Sequence, residues 1–162
     1  MRKVFFSFYY QRDSWRVSQV RNSNIIKRKY DKNTFLDSSD WESVKKGGEQ
    51  AIKNWINRQL KGTSVTIVLI GNETALRKFV NYEIEQSYEK GKGLLGIHIS
   101  GIRNRFGQTD FRGNNPLDNW YVKKNNRKVF FSDIFKTYDW VYNDGRNNID
   151  DWIEEAAQIA KR

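Results

Sequence analysis

A chain of 162 residues is long enough to bury a core without covalent staples, and its aromatic content of 15% is well above that of a disordered polar chain. It has no cysteine and one histidine, which excludes disulfides, thiolate metal sites, a cysteine nucleophile and histidine-rich metal sites. The net charge is +10, and residues 1–30 hold eight basic residues (Arg2, Lys3, Arg12, Arg16, Arg21, Lys27, Arg28, Lys29) against the single acid Asp13. Such a field favours polyanionic partners, although a solvated basic face that only keeps the protein soluble accounts for it equally well.

The first apolar run, Val4 to Phe8, has the length of one strand. It is too short for a signal-peptide core and no small-residue cleavage pattern follows it. No stretch reaches the apolar length of a bilayer span, so a cytoplasmic protein is expected. The basic residues that follow alternate with apolar ones at helical spacing. A weaker strand is expected near Thr34-Phe35-Leu36, followed by a polar loop, Asp37-Ser38-Ser39-Asp40-Trp41-Glu42.

Residues 49–60 place Ile52, Trp55, Ile56 and Leu60 on one helical face, with Gly62 as the stop. Val65 to Ile70 is apolar on both faces apart from Thr66, the pattern of a strand covered by helices on both sides. A second helix is expected from about Arg77 to Lys90, with Phe79, Val80, Ile84 and Ser87 facing inward. A third buried strand follows at Leu94 to Ile99. Residues 101–127, rich in Gly and Asn, read as a loop-rich insertion. A further strand is expected near Lys128 to Phe131. The chain ends in a helix with the stripe Ile149, Trp152, Ile153, Ala156, Ala157 and Ala160, capped by Asn147 or Asn148.

Strands alternating with helices predict one α/β domain over 1–162, an open, doubly wound, mostly parallel sheet of flavodoxin-like type. In such sheets ligands bind beyond the carboxyl ends of the strands, so Ser7 to Arg12, Ile70-Gly71-Asn72 and the 37–42 loop should share one rim. No P-loop, dinucleotide fingerprint or nucleophile elbow is present. His98, inside an apolar run, reads as a packed and hydrogen-bonded core histidine. Glu83 stands out, because it shares the inward side of its helix with Phe79 and Val80. Carboxylates are rarely buried unless paired or functional. Periodicity alone leaves open a boundary glutamate that reaches water or bonds Ser87.

Lys3-Val4-Phe5-Phe6-Ser7-Phe8 resembles the first strand of TIR domains, and Phe79-Val80-Asn81-Tyr82-Glu83 resembles their Trp-Cys-x-x-Glu helix motif, whose glutamate is catalytic in enzymatic members. Further blocks, among them Asp37 through Trp41-Glu42, Ser64 to Gly71, Gly96-Ile97-His98-Ile99, Asn115-Pro116 and Tyr138-Asp139-Trp140-Val141, are similar to the TIR-like proteins of the bacterial Thoeris antiphage system. The blocks run in order over nearly the whole chain. Phe79 and Val80 replace the Trp and Cys of the general motif, and Tyr9 and Tyr10 stand where some TIR enzymes have basic residues.

The resemblance implies cleavage of the glycosidic bond of NAD and release of an ADP-ribose-derived, often cyclic, signal that activates a separate effector in antiviral defence. NAD would be the substrate, with no cofactor and no metal, and homo-oligomers are compatible with it. Glu83 would be catalytic. Phe8, Tyr9 and Trp41 would stack on nicotinamide or adenine, Arg12 would meet the pyrophosphate and Asp37 the ribose. Core packing is the competing role for Phe8 and Tyr9, and an Asx-turn for Asp37. Two other functions stay open: a non-catalytic TIR-like scaffold, which does not need Glu83, and a nucleic-acid binder, which ranks last because no reader motif accompanies the basic residues.

Overall fold

The computed structural model describes residues 2–30 and 43–161. In chain order its main elements are β1 (Val4–Ser7), α1 (Tyr10–Arg21), α2 (Asn24–Lys29), α3 (Gly48–Leu60), β2 (Val65–Ile70), α4 (Lys78–Glu89), β3 (Gly93–His98), β4 (Tyr121–Lys124), β5 (Arg127–Phe130), α5 (Phe131–Ile134), β6 (Thr137–Asp139) and α6 (Gly145–Ala160). Two 3-10 turns, Thr74–Leu76 and Pro116–Asn119, lie before α4 and before β4. The expected strand near Thr34-Phe35-Leu36 falls outside the described residues.

Four strands pair in the order β1-β2-β3-β6, all parallel, with Val4 opposite Val65 and Val65 opposite Gly93. Every residue of β2 is buried, which explains its nearly unbroken apolar run. Its alternate side chains feed two cores. Val65, Ile67 and Leu69 pack with Val17 and Val20 of α1, Ile26 of α2 and Ile149, Trp152 and Ile153 of α6. Val68 and Ile70 pack with Val80 and Ile84 of α4 and with Phe131 and Phe135. Phe5 turns toward Ile52, Ile56 and Leu60 of α3. Helices therefore cover both faces of the sheet, as the α/β, doubly wound expectation requires.

Three details differ from expectation. The strand at 127–130 is not part of the main sheet: it pairs antiparallel with β4 across Asn125-Asn126, whose φ values of 53° and 63° suit a tight hairpin turn. Phe131 begins α5 instead of ending the strand. The last helix starts at Gly145, after Asp144 at φ 51°, with no side-chain cap. Asn147 and Asn148 sit inside it and donate backwards, to Asp144 Oδ2 and to the Asn143 carbonyl. Gly62, at φ 82°, ends α3 as its position predicts.

Candidate active site

Thr66 is the one polar residue of β2, and it sets the register of α4 against the sheet. Its hydroxyl lies 2.6 Å from Ser87 Oγ, which in turn bonds the Glu83 carbonyl at 2.6 Å. With the single Ser87 proton on that carbonyl, Thr66 is the donor to Ser87. This buried chain fixes the middle of α4, and Val80, Glu83, Ile84 and Ser87 all face inward. Glu83 is thus no boundary residue reaching water: it is 8% exposed, and Ser87 bonds its backbone and not its carboxylate.

The Glu83 carboxyl lies at the wall of a cavity of about 280 Å³ between β1 and the start of α4. Phe5, Phe6 and Phe8 of the β1 segment, Trp55 of α3 and Phe79 of α4 supply much of its apolar lining. Burial pushes the Glu83 carboxyl up to about 8, and the nearby Ser7 hydroxyl offsets a little of this. Ser7 Oγ nevertheless stops short of a full hydrogen bond, and Glu83 Oε2 is buried without a hydrogen-bond partner among the described residues. A buried carboxyl with a free oxygen, in a largely aromatic cavity, is costly for folding and suited to meeting a positively charged ligand group.

Of the residues singled out in the sequence, Phe8 and Tyr9 line this cavity with Glu83. Asp37 and Trp41 fall outside the described residues. Arg12 is directed elsewhere: its guanidinium pairs with Asp110 at 2.9 Å and Glu73 at 3.1 Å, and it does not line the cavity. Two cations that the sequence reading missed, Arg77 and Lys78, do line it. The Arg77 guanidinium lies 4.4 Å from the centre of the Tyr9 ring.

The rim also differs from expectation at the end of β2. A Cβ on Gly71 would meet Asp13 Oδ2 at 2.3 Å, and one on Gly113 would meet the Gly71 carbonyl at 2.1 Å. The segment around 100–113 therefore packs directly over this strand end. Arg16 holds it there by donating to the carbonyls of Ile102 and Gln108, and Asp110 adds bonds to Arg12 and Asn72. Beneath it, Asp13 is 1% exposed; burial raises its carboxyl to about 6, while a bond from Thr74 favours the ionised form. The aromatic cavity that holds Glu83 thus lies beside β1, while Gly71 and Asn72 are under cover.

His98 is buried, as expected of a core residue, but the expected hydrogen bond is not made at Nδ1, which has no partner among the described residues. Burial, with Arg112 nearby, drops it to about 4, so it is a neutral imidazole at ordinary pH. Much of the basic field of residues 1–30 is matched locally: Arg2 pairs with Glu154, Lys29 with Asp150, and Arg12 and Arg16 with Asp110. No helix among the described residues is long and apolar enough to cross a membrane.

A parallel four-stranded sheet covered by helices on both faces, with a buried glutamate on the helix after β2 facing an aromatic cavity beside β1, defines a TIR-like α/β domain. The family described as "Thoeris protein ThsB, TIR-like domain" matches residues 5–104. A protein of Bacillus cereus (strain MSX-D12), named "Putative cyclic ADP-D-ribose synthase ThsB1", is 33% identical over an alignment of 189 residues that takes in 94% of this chain and 98% of that protein. The chain belongs to the ThsB TIR-like family.

Proposed function

We propose that the protein cleaves NAD at the nicotinamide–ribose bond and releases an ADP-ribose-derived, cyclic signal for a separate effector in Thoeris antiviral defence. The observation that carries this reading is the buried Glu83 carboxyl, with an oxygen that has no partner among the described residues, in an aromatic cavity beside β1. The name of the B. cereus relative, a cyclic ADP-D-ribose synthase, supports the same chemistry.

The mechanism follows from charge. Nicotinamide leaves with the bonding pair and becomes a neutral molecule, so no general acid is needed. Positive charge develops on the ribose, as in other glycosyl transfers. An ionised Glu83 beside the ribose stabilises that charge in surroundings where water screens little. A ring nitrogen or hydroxyl of the same nucleotide then replaces water in bonding the ribose carbon that nicotinamide left, a hydroxyl giving up its proton to the Glu83 carboxylate as the bond forms. This is favoured in a cavity walled by Phe5, Phe8, Trp55 and Phe79. Phe8 and Tyr9 provide ring faces for nicotinamide or adenine. Asp37 and Trp41 belong to this reading as further substrate contacts, and NAD is substrate and not cofactor.

The test is incubation with NAD, alone and beside lysate of phage-infected cells, with nicotinamide and nucleotide products separated by mass spectrometry. Persistence of NAD under both conditions would sink the enzyme reading and favour the scaffold. The pH profile adds a sharper expectation. The reactive form is the carboxylate, so kcat/KM rises about tenfold per pH unit below the Glu83 value of about 8 and levels off above it. Bound NAD places its cationic nicotinamide by the carboxyl, which moves the break in kcat to lower pH. A flat kcat/KM between pH 6 and pH 9 contradicts the role given to Glu83.

A further inference from the structure

The two cations that line the cavity among the described residues are not equivalent. Lys78 Nζ is 2.7 Å from Glu49 and its side chain is 64% exposed, so its charge is already matched and faces water. Arg77 forms no ion pair among the described residues. Its Nε–H is buried without a hydrogen-bond partner among the described residues, and its guanidinium lies over Tyr9. A guanidinium resting on a ring face keeps its N–H donors in its own plane, pointing out from the edge of the stack. A buried donor with no acceptor costs free energy that a bound anion recovers.

We propose that Arg77 is the diphosphate-binding residue of the cavity, with Tyr9 as the platform that holds its guanidinium in place. The proposal rests on the reading of the cavity as an NAD site. Arg77 caps the helix that carries Glu83, six residues earlier, which separates the two by about 9 Å along the axis. Side chains entering the cavity from these two points leave room for a ribose between an anion at Arg77 and its anomeric carbon at Glu83. The planar fork of arginine matches paired phosphate oxygens. Arg12, the arginine that the sequence offered for the pyrophosphate, is held by Asp110 and Glu73 instead.

Isothermal titration of NAD into Glu83→Gln protein, which does not consume the ligand, tests this directly. Adding Arg77→Gln, which keeps part of the stem over Tyr9, is expected to weaken NAD binding by about 10- to 100-fold. Nicotinamide riboside, which has no phosphate, binds both proteins alike. Arg77→Lys restores only part of the loss, because a point charge replaces the fork. Circular dichroism establishes that each variant is folded. Unchanged NAD affinity overturns the proposal, and so does an equal loss for NAD and nicotinamide riboside, the mark of a structural role. Should NAD not bind at all, inorganic pyrophosphate is titrated into the otherwise unaltered protein with and without Arg77→Gln. Binding that depends on Arg77 then upholds the anion subsite while the NAD reading falls, and no binding of either probe overturns both.

Discussion

Glu83→Gln is expected to lower NAD cleavage by about a thousandfold and, in the same protein, to raise stability at neutral and alkaline pH. The activity loss follows from removing the carboxylate of the described cavity that opposes the ribose charge in the transition state. The stability gain follows from linkage. Glu83 has its folded value at about 8 against an ordinary value of 4.5, so the folded state prefers the neutral carboxyl. Below pH 4.5 both states are protonated and nothing is lost. Between 4.5 and 8 the unfolded chain ionises while the folded one resists, and the folded state is progressively disfavoured. Near pH 8 this cost reaches up to roughly 4 kcal/mol, an upper bound because the burial of Gln carries a cost of its own. Urea denaturation of both proteins at pH 5 and pH 8 measures it. The gap should be small at pH 5 and wide at pH 8, with the variant ahead. A constant gap, or a variant that is less stable at pH 8, rejects the account. An inactive but more stabile protein is the usual mark of a group kept for chemistry at the expense of the fold.

This pairing also indicates how much of the site could be seen in the sequence. Glu83 was visible because helical periodicity places it with Phe79 and Val80, and a carboxylate in such company conflicts with the rule that fills cores. The strands β1, β2 and β3 and the helices α3, α4 and α6 were visible for the complementary reason, since runs and stripes of apolar residues are long enough there to carry a period. Thr137–Asp139 has only three residues and mixed polarity, too little pattern to mark β6. The hairpin was missed because its turn is Asn125-Asn126, without the glycine that usually signals positive φ.

The arginines show a different limit. Arg12 follows the first strand and Arg77 precedes α4, and local pattern favours the first as an anion contact. What decides between them is Asp110, 98 residues from Arg12 in the chain and brought to it by the segment that folds over β2. Such a partner is fixed by tertiary packing and leaves no periodic trace near Arg12. Arg77, by contrast, is adjacent to the motif that contains Glu83, and its role depends on Tyr9, a residue on the far side of the cavity in sequence. Neither the neutralised arginine nor the available one could be told from its neighbours alone.

The same packed segment carries the second large expectation. Gly71→Ala should destabilise the protein by about 2–3 kcal/mol, because a Cβ there enters the space of the Asp13 carboxylate at 2.3 Å. The carboxylate cannot simply move aside. Its Oδ2 accepts from Thr74, whose hydroxyl also accepts from the Gly71 amide, and Gly113 presses on the Gly71 carbonyl from the other side. Asp13→Ala alone should change stability by less than about 1 kcal/mol near pH 7, since Asp13 is itself strained by burial, with its carboxyl raised to about 6. In the double variant the obstruction is gone, so stability should return close to that of Asp13→Ala. The two changes are then non-additive by at least about 1.5 kcal/mol, a coupling that urea midpoints resolve readily. Strict additivity would mean that Gly71 is required for some reason other than the approach of Asp13. Activity separates the two regions of the molecule: the Gly71 and Asp13 variants, assayed well below their melting temperatures, should keep the same break in kcat/KM near pH 8, because their packing lies over β2 while the Glu83 cavity lies beside β1.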